Sequence, residues 1–384
     1  MTHRALAAIL VGLSFHCAAQ DTRAAPANGR LETRRQTHDS AALVSVSPDR
    51  AVWRSADGAT IDVPTAEVVA WGRPPAWPIG PHVLLADGGV IAGSPIAFDE
   101  RHVVIESAAL GRLDLPAAAF AGYRRTAASR PAPLAADDRP PFAVELGNRD
   151  RLTATSLAIR DGRATIGWAG HGVEIPLADI QAIDVGGGAN HTAGAASSRP
   201  PRILVALDDG SRFSLTSVGS LDPALPVALA VDGGCTTSLA GLEPASIDPA
   251  AANESPTPLT IGGSLADEWP AARGHTGFTA IGIRAPTRVT YRLSAPADRF
   301  EAIVAIDDSA GRHGSAIVRI LADDEVGGPR EAFVSPIIHG GDEPLDIRVK
   351  LSGARQITLV VEPARDGEML APTIWLDPRA VAIE

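Results

Sequence analysis

Trp269 stands in an Asp-Glu-Trp-Pro setting that reads as a loop, where its flat ring can stack on the apolar side of a ligand. Further along, Arg284 and His313 supply hydrogen-bond donors for hydroxyl groups, and Asp308 supplies a carboxylate acceptor. Asp307-Asp308, Asp323-Asp324 and Asp342-Glu343 are acid pairs in turn-like settings, and calcium takes about six to eight oxygens from such groups. Each feature has a plainer reading beside it: a loop Trp covering a sheet, a surface Arg, a turn His, and acids that are solvated or cap backbone groups. Tyr291 and Phe300 alternate with apolar neighbours, and Trp375 sits in a Thr-Ile-Trp-Leu run, so these three read as core.

Catalytic constellations do not appear. The chain holds no His-Glu-x-x-His, no Gly-x-Ser-x-Gly, no phosphate loop and no Cys-x-x-Cys. Gly262-Gly-Ser-Leu-Ala266 lacks the last glycine of a nucleophile elbow and reads as a turn. Cys235 lies between glycines and threonines, with no acid or base to activate it, and reads as a structural thiol. Asn190-His-Thr and Asn253-Glu-Ser match the glycan-acceptor pattern but read as ordinary linker residues. No catalytic residue is assigned, and the expectation is a non-enzyme.

The elements that must position these side chains are set by composition. The 384 residues exceed one ordinary domain, 45% of them are apolar, and 37 Gly with 31 Pro favour many turns and short strands. A net charge of -11 argues against nucleic acid as a partner, because that affinity comes from Lys and Arg neutralising phosphates. Arg4, the apolar run from Ala5 to Phe15, and His16-Cys-Ala-Ala19 read as a secretory signal peptide over residues 1–19. That run has 11 residues, too few to span a bilayer, so no transmembrane segment is expected. The expected location is the periplasm, the cell surface or the medium. With Cys17 removed, Cys235 is left alone and no internal disulfide can form.

Residues 20–41, 125–141, 186–202 and 248–258 are rich in Ala, Pro, Ser and Gly and read as linkers. Between them a pattern recurs: alternating strand, glycine turn, two more strands, then an apolar-acidic-apolar-proline step and a short apolar tail. Gly111 to Tyr123 aligns with Gly172 to Ile183, and a partial copy runs from Gly58 to Trp71. Pro64, Pro116 and Pro176 hold one place in it. The expected units are 42–124, holding a partial and a full copy, 142–185, and a degenerate copy over 203–248, at a spacing of roughly 52 to 64 residues. Asp87-Gly88-Gly89 and Asp208-Asp209-Gly210 are hairpin turns. Five strands in such a unit predict a small barrel, and Leu85 to Gly93 resembles the second strand of SH3-like and Sm-like barrels.

From 257 to 384, strand signals follow every 8 to 12 residues or so, which is sandwich spacing. The fold class is therefore all-β: repeated small barrel-like units followed by a β-sandwich of jelly-roll type. Pro258 to Gly263, Gly282 to Leu293, Arg299-Phe300, Ile306 to Asp308, Gly314-Ser315, Gly340-Gly341, Val349 to Gly353, Leu359 to Val361 and Trp375 with Asp377 carry a resemblance to the NPCBM family. These are carbohydrate-binding modules with a galactose-binding-domain-like jelly roll, attached to glycosidases and other exported bacterial proteins. Arg284 stands where the family phrase has His, and Leu370 to Thr373 where it often has Asp-His.

The resemblance implies an exported carbohydrate-binding protein, with Trp269, Arg284, Asp308 and His313 in loops at one end of the sandwich. No cofactor is implied beyond calcium at the acid pairs. The alternative is a structural or adaptor protein whose jelly roll binds no ligand and whose repeats contact envelope proteins. A glycosidase would need two carboxylates converging within about 10 Å in a cleft.

Overall fold

A computed structural model of the chain describes residues 28–126, 141–168, 170–186, 201–218, 221–222, 224–249, 259–261, 269–323, 328–364 and 372–382. The expected signal peptide over 1–19 lies outside these residues, as do most of the stretches 125–141, 186–202 and 248–258. The described chain is all-β, with short alternating strands in the repeats. In Gly111–Pro116, Leu113 and Leu115 are buried while Arg112 and Asp114 face solvent.

The first repeat is complete rather than partial. Its strands are Asn28–Thr33, Thr37–Val46, Arg50–Ser55, Thr60–Pro64 and, after a 3-10 turn over Thr65–Glu67, Val68–Gly72. Residues 28–41, read above as linker, thus form its first strand and the start of its second. Leu31, Glu32 and Thr33 are buried in succession at the end of that first strand, so alternation is nearly invisible in Asn28-Gly-Arg-Leu-Glu-Thr33.

The second repeat has the strands His82–Leu85, Val90–Ala92 with Ser94–Phe98, His102–Ser107, Gly111–Pro116 and Phe120–Arg124; the third has Phe142–Leu146, Arg151–Ala154 with Ser156–Arg160, Arg163–Trp168, His171–Pro176 and Ile180–Val185. In all three, strand 5 pairs strand 1, and strands 1 to 4 follow in order. The aligned prolines, at φ -53, -57 and -57, each enter the 3-10 turn ahead of strand 5.

These units are not closed barrels: among the described residues no barrel closes. Strand 2 of the second repeat breaks at Gly93, whose φ is +150 and where a Cβ would sit 2.3 Å from the Glu106 carbonyl oxygen. The two halves of strand 2 then serve two sheets, here and in the third repeat. Strand 5 meets strand 5 of the neighbouring repeat, Tyr123 opposite Ile183, and Phe98 meets Ile159 across the second sheet. The result is one 14-stranded and one 6-stranded sheet over a shared core.

The fourth repeat contributes Arg202–Leu207, Arg212–Ser214 and Pro226–Asp232, which pair with the strands Val68–Gly72 and Val90–Ala92. Beyond Asp232 the chain leaves the repeats. Thr236–Ser238 pairs with Arg379–Val381, and Ser246–Pro249 pairs with Thr287–Thr290. The boundary expected at 257 therefore moves back to about Asp232.

The sandwich is built on two long bent strands, Thr287–Ile306 and Leu345–Pro363, flanked by Ala280–Arg284, Pro372–Val381, Ser315–Asp323 and Arg330–Val334. Tyr291, Phe300 and Trp375 are fully buried in its core.

Candidate functional site

Register decides which loops share an end of the sandwich. Arg284 lies opposite Pro372, and the Pro372 carbonyl oxygen accepts the Asp307 N–H at 2.9 Å. Arg284 and the loop 307–314 are therefore at the same end, with the loop 338–343 packed on it. Gly340 donates its N–H to Gly314 O at 3.0 Å, and a Cβ on Gly340 would stand 2.6 Å from the Gly311 and His313 oxygens. Only glycine permits that approach.

The acids at this end anchor loops. Asp307 caps a 3-10 turn by accepting from the Ser309 N–H, and both oxygens of Asp308 accept the Arg273 N–H at 2.9 Å. Asp342 accepts the His339 N–H at 2.8 Å, which holds its carboxyl below the usual carboxylate range. Glu343 pairs with the Arg273 guanidinium at 3.0 Å. Arg312 and His313 are exposed, and Arg284 is half-buried with its Nε lacking a partner. Among the described residues no three His, Cys, Asp or Glu side chains gather as a metal site; Asp324 lies outside them.

Arg284, Asp308 and His313 thus share one end, while Trp269 packs against the repeats. Its ring stacks on Trp77 from the segment between the first and second repeats, with centroids 4.4 Å apart and planes at 9°. Arg212 lies over Trp77 at 3.8 Å, and His82 tilts against Trp269 at 5.5 Å. Trp77 Nε1 donates to Pro270 O, and Arg212 donates to Thr276 Oγ1 at 2.9 Å. One face of Trp269 is therefore covered by the repeats. Burial lowers the His82 pKa, and the nearby Arg124 charge adds to the effect.

A second junction went unseen in the sequence. Glu32 from the first strand and Glu301 of the sandwich sit among Arg299, Arg348 and Arg379, with Arg348 donating to Glu32 at 2.9 Å and Arg379 to Glu301 at 2.8 Å. Burial works to raise the Glu301 carboxyl, but Arg379 and Arg299 outweigh it and hold it at about 2. Burial and the Glu301 charge push Glu32 up. The two carboxylates meet, yet each is locked to arginines at a packed junction.

Nearby, a small recess is lined by Asp232, Ser238, Phe278, Thr279, Asp377 and Arg379. Its acids are anchors too: Asp232 accepts the Ser238 N–H and Asp377 the Thr279 N–H, both at 2.9 Å. Cys235 is buried, and burial pushes its thiol up to about 11, far from an activated nucleophile.

Residues 232–381 match the model of the NPCBM/NEW2 domain. That match starts where the chain leaves the repeats and takes in the two strands, Thr236–Ser238 and Ser246–Pro249, that join the sandwich. Solved structures similar to the chain include CBM51-2 with GlcNAc and INT domains from Clostridium perfringens ZmpB, at 16% identity and TM-score 0.32, covering 38% of this chain and 31% of that one. The chain therefore spans about a third of that relative's length. CBM51 from Clostridium perfringens GH95 with methyl-galactose matches at 20% identity and TM-score 0.32, over 38% of this chain and 99% of that one. The tandem CBM51 modules of a family 98 glycoside hydrolase from Streptococcus pneumoniae match at 11% identity and TM-score 0.32, over 78% and 88%. No curated protein matches the sequence.

Proposed function

We propose that the protein is exported and binds carbohydrate, without catalysis, through the loop end of its NPCBM/NEW2 sandwich. The observation that supports this reading is that Arg284 and the loop 307–314, which carries Asp308 and His313, lie at the same end of the matched domain. Arg284 and His313 are donors for sugar hydroxyls, and Asp308 with Arg273 fixes the loop that presents them. The charged, apolar and small-residue order of residues 1–19 supports export. No helix among the described residues is long and apolar enough to cross a membrane.

The test is a glycan array probed with the full chain, with and without calcium, followed by His313→Ala and Arg284→Ala. A selective hit that weakens about tenfold or more in either variant, at unchanged melting temperature, supports the site. Loss on calcium removal would assign a metal role to the acid pairs.

A second reading, a structural or adaptor protein of the cell envelope, is favoured by Trp269. The aromatic face that suits a pyranose is occupied by Trp77. A folded chain that binds no glycan on the array would put this reading first.

A further inference from the structure

We infer that the open edge of strand 2 in the first repeat, at Leu43 to Val46, is a self-association surface that takes the same edge of a second copy of this chain. The basis is the way the repeats already pair within one chain. Across strands 3 and 4 the aligned prolines face Arg50, His102 and Arg163. The next residues, Ala51, Val103 and Ala164, face Val46, Phe98 and Ile159 on strand 2. Val46, Phe98 and Ile159 therefore hold one position in three repeats. Counted from the 3-10 turn, Trp71, Tyr123 and Ile183 likewise hold one position on strand 5.

Between the second and third repeats, Phe98 lies opposite Ile159 and Tyr123 opposite Ile183. A residue facing its own counterpart marks a local two-fold axis, and both ladders obey it. The first and fourth repeats make the strand-5 contact in the same way, with Trp71 opposite Leu229. Among the described residues they make no strand-2 contact. The fourth repeat ends its second strand at Ser214, enters the helical turn Leu215–Val218 and, among the described residues, supplies no counterpart of Ser156–Arg160. Val46 is left with no partner strand on that side among the described residues.

The chemistry of this edge fits pairing. Ser47 donates its N–H to Arg50 O at 2.8 Å, so by ladder alternation Val46 turns its own N–H and C=O outward. Val44 is 39% exposed and Ser45 is exposed. No charge guards Ala41 to Val46, whereas the strands ending the two repeat sheets carry Asp62, Arg112 with Asp114, Arg151, and Glu174. Charged edges resist pairing and uncharged ones accept it. A second copy on a true two-fold axis places Val46 opposite Val46, exchanging two N–H···O=C bonds, and presents two sandwich loop ends from one particle.

Sedimentation velocity of the full chain tests this. The wild type is expected to shift toward twice the monomer mass over roughly a hundredfold rise in concentration, by mass action. Val44→Lys with Ser45→Lys, or the milder Ser45→Lys alone, is expected to abolish the shift at unchanged melting temperature. Val173→Lys, on a different open edge, is expected to leave it intact. A wild type that stays monomeric throughout overturns the proposal, as does a dimer that survives both lysine variants. A dimer seen only after removal of residues 1–27 also overturns it, because the chain ahead of Asn28, which pairs beside Ala42, would then be the occupant.

Discussion

Removing the Trp77 ring strips Trp269 of its stacking partner and Arg212 of the ring face beneath it. Stacking and cation–π terms of this size predict that Trp77→Ala lowers stability by about 2 kcal/mol, and that a Trp77/Trp269 double-mutant cycle shows about 1 kcal/mol of coupling in chemical denaturation. Glu301 predicts a pH effect with a definite sign. Its folded value of about 2 lies below the ordinary 4.5, so its contribution is complete above about 4.5 and drains away as the pH falls toward 2. Glu301→Gln should therefore cost up to about 3 kcal/mol at neutral pH and flatten the acid limb of the melting-temperature profile. Glu32, raised by burial, works in the opposite sense and trims the effect. Neither junction was legible in the sequence. Asp-Glu-Trp-Pro reads as a loop whether its ring meets a ligand or Trp77, and a glutamate in a strand does not announce that arginines more than 260 residues away will neutralise it.

At the scale of elements, the aligned prolines made the repeats visible, because each proline enters a 3-10 turn and fixes where strand 5 begins. The same step misled at 236–249: Leu239–Gly241 also forms a 3-10 turn, but the strand that follows pairs with the sandwich. Barrel closure was the wrong expectation because alternation specifies faces and not edges; strand 5 satisfies its edge equally well on a neighbouring repeat. Gly93 is where the second strand splits. Gly93→Ala drives a Cβ into the Glu106 oxygen at a left-handed φ, and is expected to cost about 3 kcal/mol, read as a fall in melting temperature.

For the whole molecule, two junctions tie repeats and sandwich together, the Trp77 clasp and the Glu32 arginine cluster, while Arg284, Asp308 and His313 sit at a loop end. The sandwich was legible because its strand spacing and turn residues are local, and the site only in part, because loop ends converge through register that no single segment contains. The most direct measurement is titration of the full chain with the glycan that an array selects, comparing wild type, His313→Ala and Trp269→Ala by calorimetry. His313→Ala is expected to weaken binding about tenfold or more, while Trp269→Ala is expected to bind like wild type and lose only stability. Binding lost in Trp269→Ala and kept in His313→Ala would contradict this and place recognition at the clasp.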